Sequence, residues 1–152
     1  YVFRNMGYNL KPMDLQGSIG LVQLDKFEEI DTNRKHSKKT IEQILLKYVS
    51  GLTSVKMLSK ADTCWFGTPF ICEDKTLKNK LVSFLEDNMI QTRNYFAGNI
   101  LMHPGYSHLG DLEDYPNGNT VLDKVFFLGA APHYDDSVFD YIDKIFKTKW
   151  VD

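Results

Sequence analysis

Apolar residues recur at helical spacing twice before the chain changes its period. Leu15, Ile19 and Val22 predict a first helix, entered at Pro12 and running to about Gln23. Pro12 suits the first helical position, where a missing N–H costs nothing. Asp14 follows in the first turn, where a carboxylate meets the positive end of the helix dipole. Gly17, Ser18 and Gly20 are poor helix formers, so this helix is expected to approach another backbone closely. A second, longer helix follows, with Leu24, Phe27, Ile30, Ile41, Leu45 and Tyr48 as its apolar positions and Gly51 as its stop. Its middle, Asp31 to Lys39, is polar nearly all round, the pattern of a helix bridging two domains. Arg34, Lys35, Lys38 and Lys39 read there as a solvated face.

From Leu52 the period drops to two. Val55–Leu58 and Cys64–Cys72 predict two strands with a turn near Ala61, Asp62 and Thr63. Pro69 cannot donate to a ladder and marks an edge or a bulge. Thr76 is placed to cap a helix from Leu77 to about Asn88, with Leu77, Leu81, Phe84 and Leu85 as its buried stripe. Gln91–Tyr95 is a third extended segment. Phe96 to Asn99 then turns the chain into a loop carrying His103, Pro104, Tyr106 and His108, and the acidic stretch Gly110–Asn117 is exposed. Asn119 or Thr120 caps a short helix before the strand Val125–Leu128. Asp135, Asp136 and Ser137 open a last helix through Val138, Tyr141, Ile142 and Ile145. Helices followed by a strand-and-helix mixture predict an α+β fold, an antiparallel or mixed sheet packed on one face by helices.

Composition narrows the function classes. The chain has 152 residues, 43% of them hydrophobic and 25% charged, enough for a core and ordinary for a soluble domain. A net charge of −2 gives no basic field for nucleic acid. No apolar run approaches the roughly 20 residues needed to span a bilayer, so no membrane is expected as a partner. Tyr1-Val2-Phe3-Arg4-Asn5 has neither an initiator Met nor a signal-peptide pattern, which suggests a start inside a longer protein and, by default, the cytoplasm. Cys64 and Cys72 share one strand parity and read as a pair of buried thiols. No metal site is expected: His36, His103, His108 and His133 lack the spacing of a metalloprotease helix. A glycine-rich phosphate loop and a nucleophile elbow are both missing from the sequence. No residue of this chain is therefore assigned as catalytic.

Two stretches carry candidate binding residues. In Gly7-Tyr8-Asn9-Leu10-Lys11, just before the first helix, Tyr8, Asn9 and Lys11 are held at the mouth of that helix, although an ordinary helix start accounts for the same residues. In Thr92-Arg93-Asn94-Tyr95-Phe96-Ala97-Gly98-Asn99, followed by His103-Pro104, Arg93 is the one arginine in the C-terminal two-thirds of the chain. A surface ion pair for Arg93 and a turn cap for Asn99 are the plainer alternatives.

Both stretches resemble a family. Gly7 to Lys11, then Asp14, Gln16 and Gly20-Leu21-Val22-Gln23-Leu24, is similar to the segment after the active site in the DegT/DnrJ/EryC1/StrS-type pyridoxal-phosphate sugar enzymes. The Thr-Arg, Phe-Ala-Gly-Asn stretch is similar to the pattern of that family's nucleotide-sugar 3-dehydratases, with His103 in place of the usual Gln. Weaker matches at Ser59-Lys60, Trp65-Phe66-Gly67, Asn119-Thr120 and Leu128-Gly129 keep the register to the end.

The resemblance implies the C-terminal small domain of the aspartate-aminotransferase (type I pyridoxal-phosphate) fold, preceded by its long interdomain helix. Residues 1–50 would end the large cofactor domain and form that helix, and 51–152 would be the small α+β domain. It implies pyridoxamine or pyridoxal 5'-phosphate as cofactor, with Asn9, Lys11 and Tyr8 near its phosphate, Asn9 across a homodimer interface. Arg93, Asn99 and His103 would touch a nucleotide-linked 4-keto-6-deoxy sugar. The cofactor would act as an electron relay, a histidine upstream of Gly7 would move the proton, and the C3 hydroxyl would leave. The fragment alone would be inactive. An iron–sulfur cluster, if any, would lie upstream and stays open. A sugar aminotransferase fragment, or a binding module without chemistry, are the remaining readings.

Overall fold

The computed structural model describes Tyr8 and residues 10–151. The first two helices are α1 (Asp14–Asp25) and α2 (Phe27–Tyr48), separated only by Lys26. Then come β1 (Leu52–Ser54), β2 (Gly67–Cys72), α3 (Lys75–Asp87) and β3 (Thr92–Asn94). Three single turns of 3-10 helix lead to α4 (Pro116–Lys124), β4 (Val125–Gly129) and α5 (Asp136–Lys149). The strands form one antiparallel sheet in the order β1-β2-β4-β3.

One face of that sheet is the core. Phe70 and Cys72 of β2 and Phe126 and Leu128 of β4 pack with Leu81 and Leu85 of α3, Ile41 and Leu45 of α2, and Phe139, Ile142 and Phe146 of α5. Fully burying each such side chain contributes about 1.5–3 kcal/mol. The α+β architecture and the spacing of α2, α3, β4 and α5 agree with the sequence reading. So does the second helix ending before Gly51, whose φ of 71° a glycine accepts without strain.

Several local expectations are corrected. Nothing lies within 4 Å of a Cβ added at Gly17 or Gly20, and no residue of α1 is buried, so these glycines permit no close approach here. Val55–Leu58 is not a strand, because β1 takes the three residues before it and pairs them with Phe70–Cys72. Pro69 lies inside a central strand, opposite Phe127. It is tolerated because β1 ends at Ser54, opposite Phe70, so a missing N–H at Pro69 removes no bond to β1. α3 is capped by Asp74, whose carboxylate accepts the Leu77 N–H at 2.8 Å, not by Thr76. α4 begins at Pro116 after Tyr115, which leaves Asn119 and Thr120 inside it. Cys72 is buried, whereas Cys64 sits half-buried in the loop before β2. No described helix is long and apolar enough to cross a membrane.

Candidate functional site

The register of the sheet sorts the site residues. Arg93 is opposite Phe127, and Pro69 is opposite Phe127 from the other side. Directly opposed residues share a face. Phe126 and Leu128 belong to the core face, so Phe127 and Arg93 belong to the other. On that second face Phe66 and Phe96 close on Phe127, with ring centroids 5.8 and 6.3 Å away. Tyr95 meets Phe127 edge-on at 6.3 Å. With Trp65 these rings line a recess of about 240 Å³. Phe96 is held at a φ of 51°, a left-handed conformation that bulky residues rarely adopt. The strain turns the motif sharply before Gly98, itself at 65°, where a Cβ would stand 2.6 Å from Leu122 Cβ.

Arg93 also borders a larger cavity, about 600 Å³, where the chain leaves the end of β4. Its lining includes Arg34, Tyr134 and Tyr141, and it shares Phe66 and Phe127 with the aromatic recess. The α2 helix is fixed here by buried Ser37, whose hydroxyl donates to the Ala131 carbonyl at 2.9 Å. Arg34 lies one turn earlier on the same face. Its Nε is buried and has no hydrogen-bond partner among the described residues. Neither arginine forms an ion pair with a described carboxylate, and none lines the cavity. Glu86, a neighbour of Arg93, is engaged first with Thr92: it accepts from the Thr92 N–H and hydroxyl, which, with a smaller contribution from the nearby Arg93 charge, hold its carboxyl below the ordinary range.

The basic face read from the sequence therefore divides. Lys35 pairs with Asp31 and Asp62, and Lys38 pairs with Glu42 and stands 4.9 Å over the Trp65 ring. Arg34 alone of the four lines the cavity, and the sequence reading missed it. Its distance of seven from Ile41, a core residue, was the signal.

The other predicted residues are placed as follows. Asn99 is buried: its amide oxygen accepts the Leu101 N–H at 3.1 Å and its nitrogen donates to Asn119 at 3.0 Å. It lines a separate recess with Leu109 and Tyr115 and does not reach the arginine cavity. His103 is exposed at the end of the 3-10 turn Ile100–Met102. Tyr8 and Lys11 are exposed, and their side chains have no partner among the described residues. Asn9 lies outside the described residues. Among those described, no three His, Cys, Asp or Glu side chains gather as a metal site.

The profile of the DegT/DnrJ/EryC1/StrS aminotransferase family matches residues 1–147. The chain is 31% identical over 149 residues to the lipopolysaccharide biosynthesis protein RfbH of Salmonella typhimurium, covering 93% of this chain and 33% of that protein. It is 32% identical over 146 residues to dTDP-4-dehydro-2,6-dideoxy-D-glucose 3-dehydratase of Saccharopolyspora spinosa, covering 93% and 31%. Escherichia coli GDP-4-keto-6-deoxy-D-mannose-3-dehydratase, solved with bound hydrated pyridoxal phosphate, superposes with a TM-score of 0.76 at 21% identity, over 96% of this chain and 38% of that one. The fold is that of part of the solved 3-dehydratase. The chain spans about a third of the length of the curated relatives it matches.

Proposed function

The chain belongs to the DegT/DnrJ/EryC1/StrS aminotransferase family, and from that premise we propose that it is the C-terminal part of a pyridoxamine- or pyridoxal-phosphate-dependent 3-dehydratase acting on a nucleotide-linked 4-keto-6-deoxy sugar. Residues 1–50 belong to the end of the cofactor domain and the connecting helix, and 51–152 form the small domain, whose core also takes in Ile41 and Leu45 of α2. The observation that carries the reading is Arg93, an exposed guanidinium with no ion-pair partner among the described residues, on an edge strand bordering a cavity and inside the stretch that resembles the 3-dehydratases. Curated relatives bearing that name support it.

The chain's own residues do limited work in this reaction. Tyr8 and Lys11, exposed and without a partner among the described residues, offer with Asn9 a phenol, an ammonium and an amide, a donor set suited to a phosphate ester. They fit the edge of a cofactor site, in a homodimer whose partner supplies the rest. When bound, the cofactor supplies the electron sink. Arg93 orients the substrate; Asn99 fixes the loop beside it through Leu101 and Asn119; and His103 reaches the sugar from that loop. The proton-transfer group lies in the remaining two-thirds of the protein, and the compartment is the cytoplasm.

The test is the full-length enzyme with pyridoxamine phosphate and a nucleotide-linked 4-keto-6-deoxy hexose. Loss of the C3 hydroxyl is expected, and Arg93→Gln should lower kcat/KM roughly tenfold to a hundredfold, since a hydrogen bond to a charged group contributes about 1.5–3 kcal/mol. A second reading follows from the family's own name. A product aminated at C4 would make the protein an aminotransferase, and no turnover of either kind would leave a binding module.

A further inference from the structure

We infer that Lys78 is a positioning residue for the substrate loop: from the core side of α3 its ammonium holds α4, and α4 holds the segment that carries Asn99 and His103. This rests on the substrate contacts proposed above and adds to them a residue that touches no substrate.

The first observation is where the charge sits. Lys78 lies on the buried stripe of α3 with Leu81 and Leu85, and only 6% of it is exposed. Lysine is rarely buried to this extent unless paired. Lys78 forms no ion pair with a described carboxylate. Its ammonium donates instead to the Leu122 carbonyl at 2.6 Å. Leu122 belongs to the last turn of α4, where carbonyls lack partners within the helix and form the negative end of its dipole. A cation suits that end and fixes it. Lys75, paired with Asp123 at 2.8 Å, and Lys124, donating to the Glu73 carbonyl at 2.6 Å, bear on the same end from nearer the surface.

The second observation is what else α4 touches. A Cβ added at Gly98 would stand 2.6 Å from Leu122 Cβ, and one at Gly118 would stand 3.3 Å from Asn99 Cβ. The Asn99 amide donates to Asn119 at 3.0 Å and accepts the Leu101 N–H at 3.1 Å, which starts the 3-10 turn ending at His103. Lys78 therefore grips the same residue, Leu122, against which the loop is pressed. A shift of α4 is passed on to Gly98 and Asn99, because contacts this close leave no slack.

The third is that stability does not account for a lysine here. Burial pushes its pKa below the ordinary lysine value, a penalty that an apolar side chain on the stripe would not carry. Replacing a buried charge by an apolar residue of similar volume is often neutral or stabilising. What methionine cannot supply is the hold on the Leu122 carbonyl.

The experiment pairs hydrogen exchange on the 152-residue chain with steady-state kinetics of the full-length enzyme on a nucleotide-linked 4-keto-6-deoxy hexose. Lys78→Met should keep the melting temperature close to the parent's. Exchange at Leu101, Met102 and His103 should quicken tenfold or more, with the amides of β2 and β4 within twofold of their parent rates. In the enzyme, KM for the sugar should rise severalfold and kcat stay within twofold, the split left by a loss of uniform binding. Lys78→Arg, which keeps a cation, should return both readouts towards the parent. Asn119→Ala breaks the next link, so adding it to Lys78→Met should raise KM little beyond the larger single effect. Loop exchange unchanged in Lys78→Met, a KM within twofold of the parent, additive effects in the double variant, or a Lys78→Met chain that no longer folds would each overturn the positioning role. An enzyme without turnover of the 4-keto sugar would sink the dehydratase reading, whereas the exchange measurement, which needs no substrate, would still decide whether Lys78 holds the loop.

Discussion

Thr68 stands opposite Leu128 in the middle of the sheet, fully buried, and its hydroxyl has no partner among the described residues. A buried hydroxyl left unbonded costs about 1–3 kcal/mol. Valine keeps the branched shape without the polar atom. Thr68→Val should therefore raise stability by roughly 1 kcal/mol, read as a higher urea midpoint at unchanged slope. A lower midpoint would show that the hydroxyl is bonded after all. Four residues further along the same face, burial pushes the Cys72 thiol up to about 11. Cys72 is thus a neutral core group at neutral pH, as its apolar strand suggested, while Cys64 departs from the expected pair because its segment never joins the ladder. Thr68 and Arg34 share a lesson. Residue type and spacing give the face a side chain occupies, but whether its polar atom finds a partner depends on the strand register and on the tie between Ser37 and Ala131, 94 positions apart.

The ends of the elements are where local chemistry is most exposed to pH. Asp135 caps α5, accepting the Ser137 N–H at 3.0 Å and its hydroxyl at 2.5 Å. The Ser137 hydroxyl above all holds its carboxyl below the ordinary range. Glu86, held low by the Thr92 N–H and hydroxyl, behaves likewise and ties α3 to β3. A carboxyl whose folded pKa lies below its unfolded one stabilises fully above the unfolded value, about 4, and loses that contribution as pH falls through the folded value. Thermal melts by circular dichroism should accordingly lose Tm below about pH 4. Asp135→Asn keeps a capping oxygen but removes one titration, so its acid slope should be shallower; an identical slope would exclude Asp135 as a source. The cap at Asp135 was legible because the acidic pair and Ser137 precede a clear helical stripe. The cap at Asp74 was not, because Thr76 is an equally good capping type and only the path out of β2 decides between them. β1 escaped for a related reason: three residues carry too little period to read, and what makes them a strand is the facing segment Phe70–Cys72.

For the molecule as a whole, the contrast between its two ends is the governing fact. From Ser37 onward the chain builds a core of its own, with Phe70, Phe126, Leu81, Leu85 and Phe146 almost wholly buried. Before it, α1 buries nothing: Leu15, Ile19, Leu21, Val22 and Leu24 are each more than half exposed. Apolar residues on every side of a helix belong to an element enclosed by other polypeptide. The family match, which spans both ends, gives the reason in physical terms: the chain is about a third of the length of its relatives, and periodicity cannot say which partner a face was made for. Taken alone, the 17.6 kDa chain should turn over no 4-keto sugar and should self-associate through α1, since exposed apolar patches of this size seek cover. Sedimentation velocity should show a weight-average mass that rises with loading concentration. Leu21→Lys with Val22→Lys should return it towards the monomer without lowering Tm, because neither side chain touches the core. A monomer at every concentration would mean that α1 folds back on its own domain, and unchanged association in the double variant would move the contact elsewhere, with the exposed rings of Phe66 and Phe96 the next surface to vary.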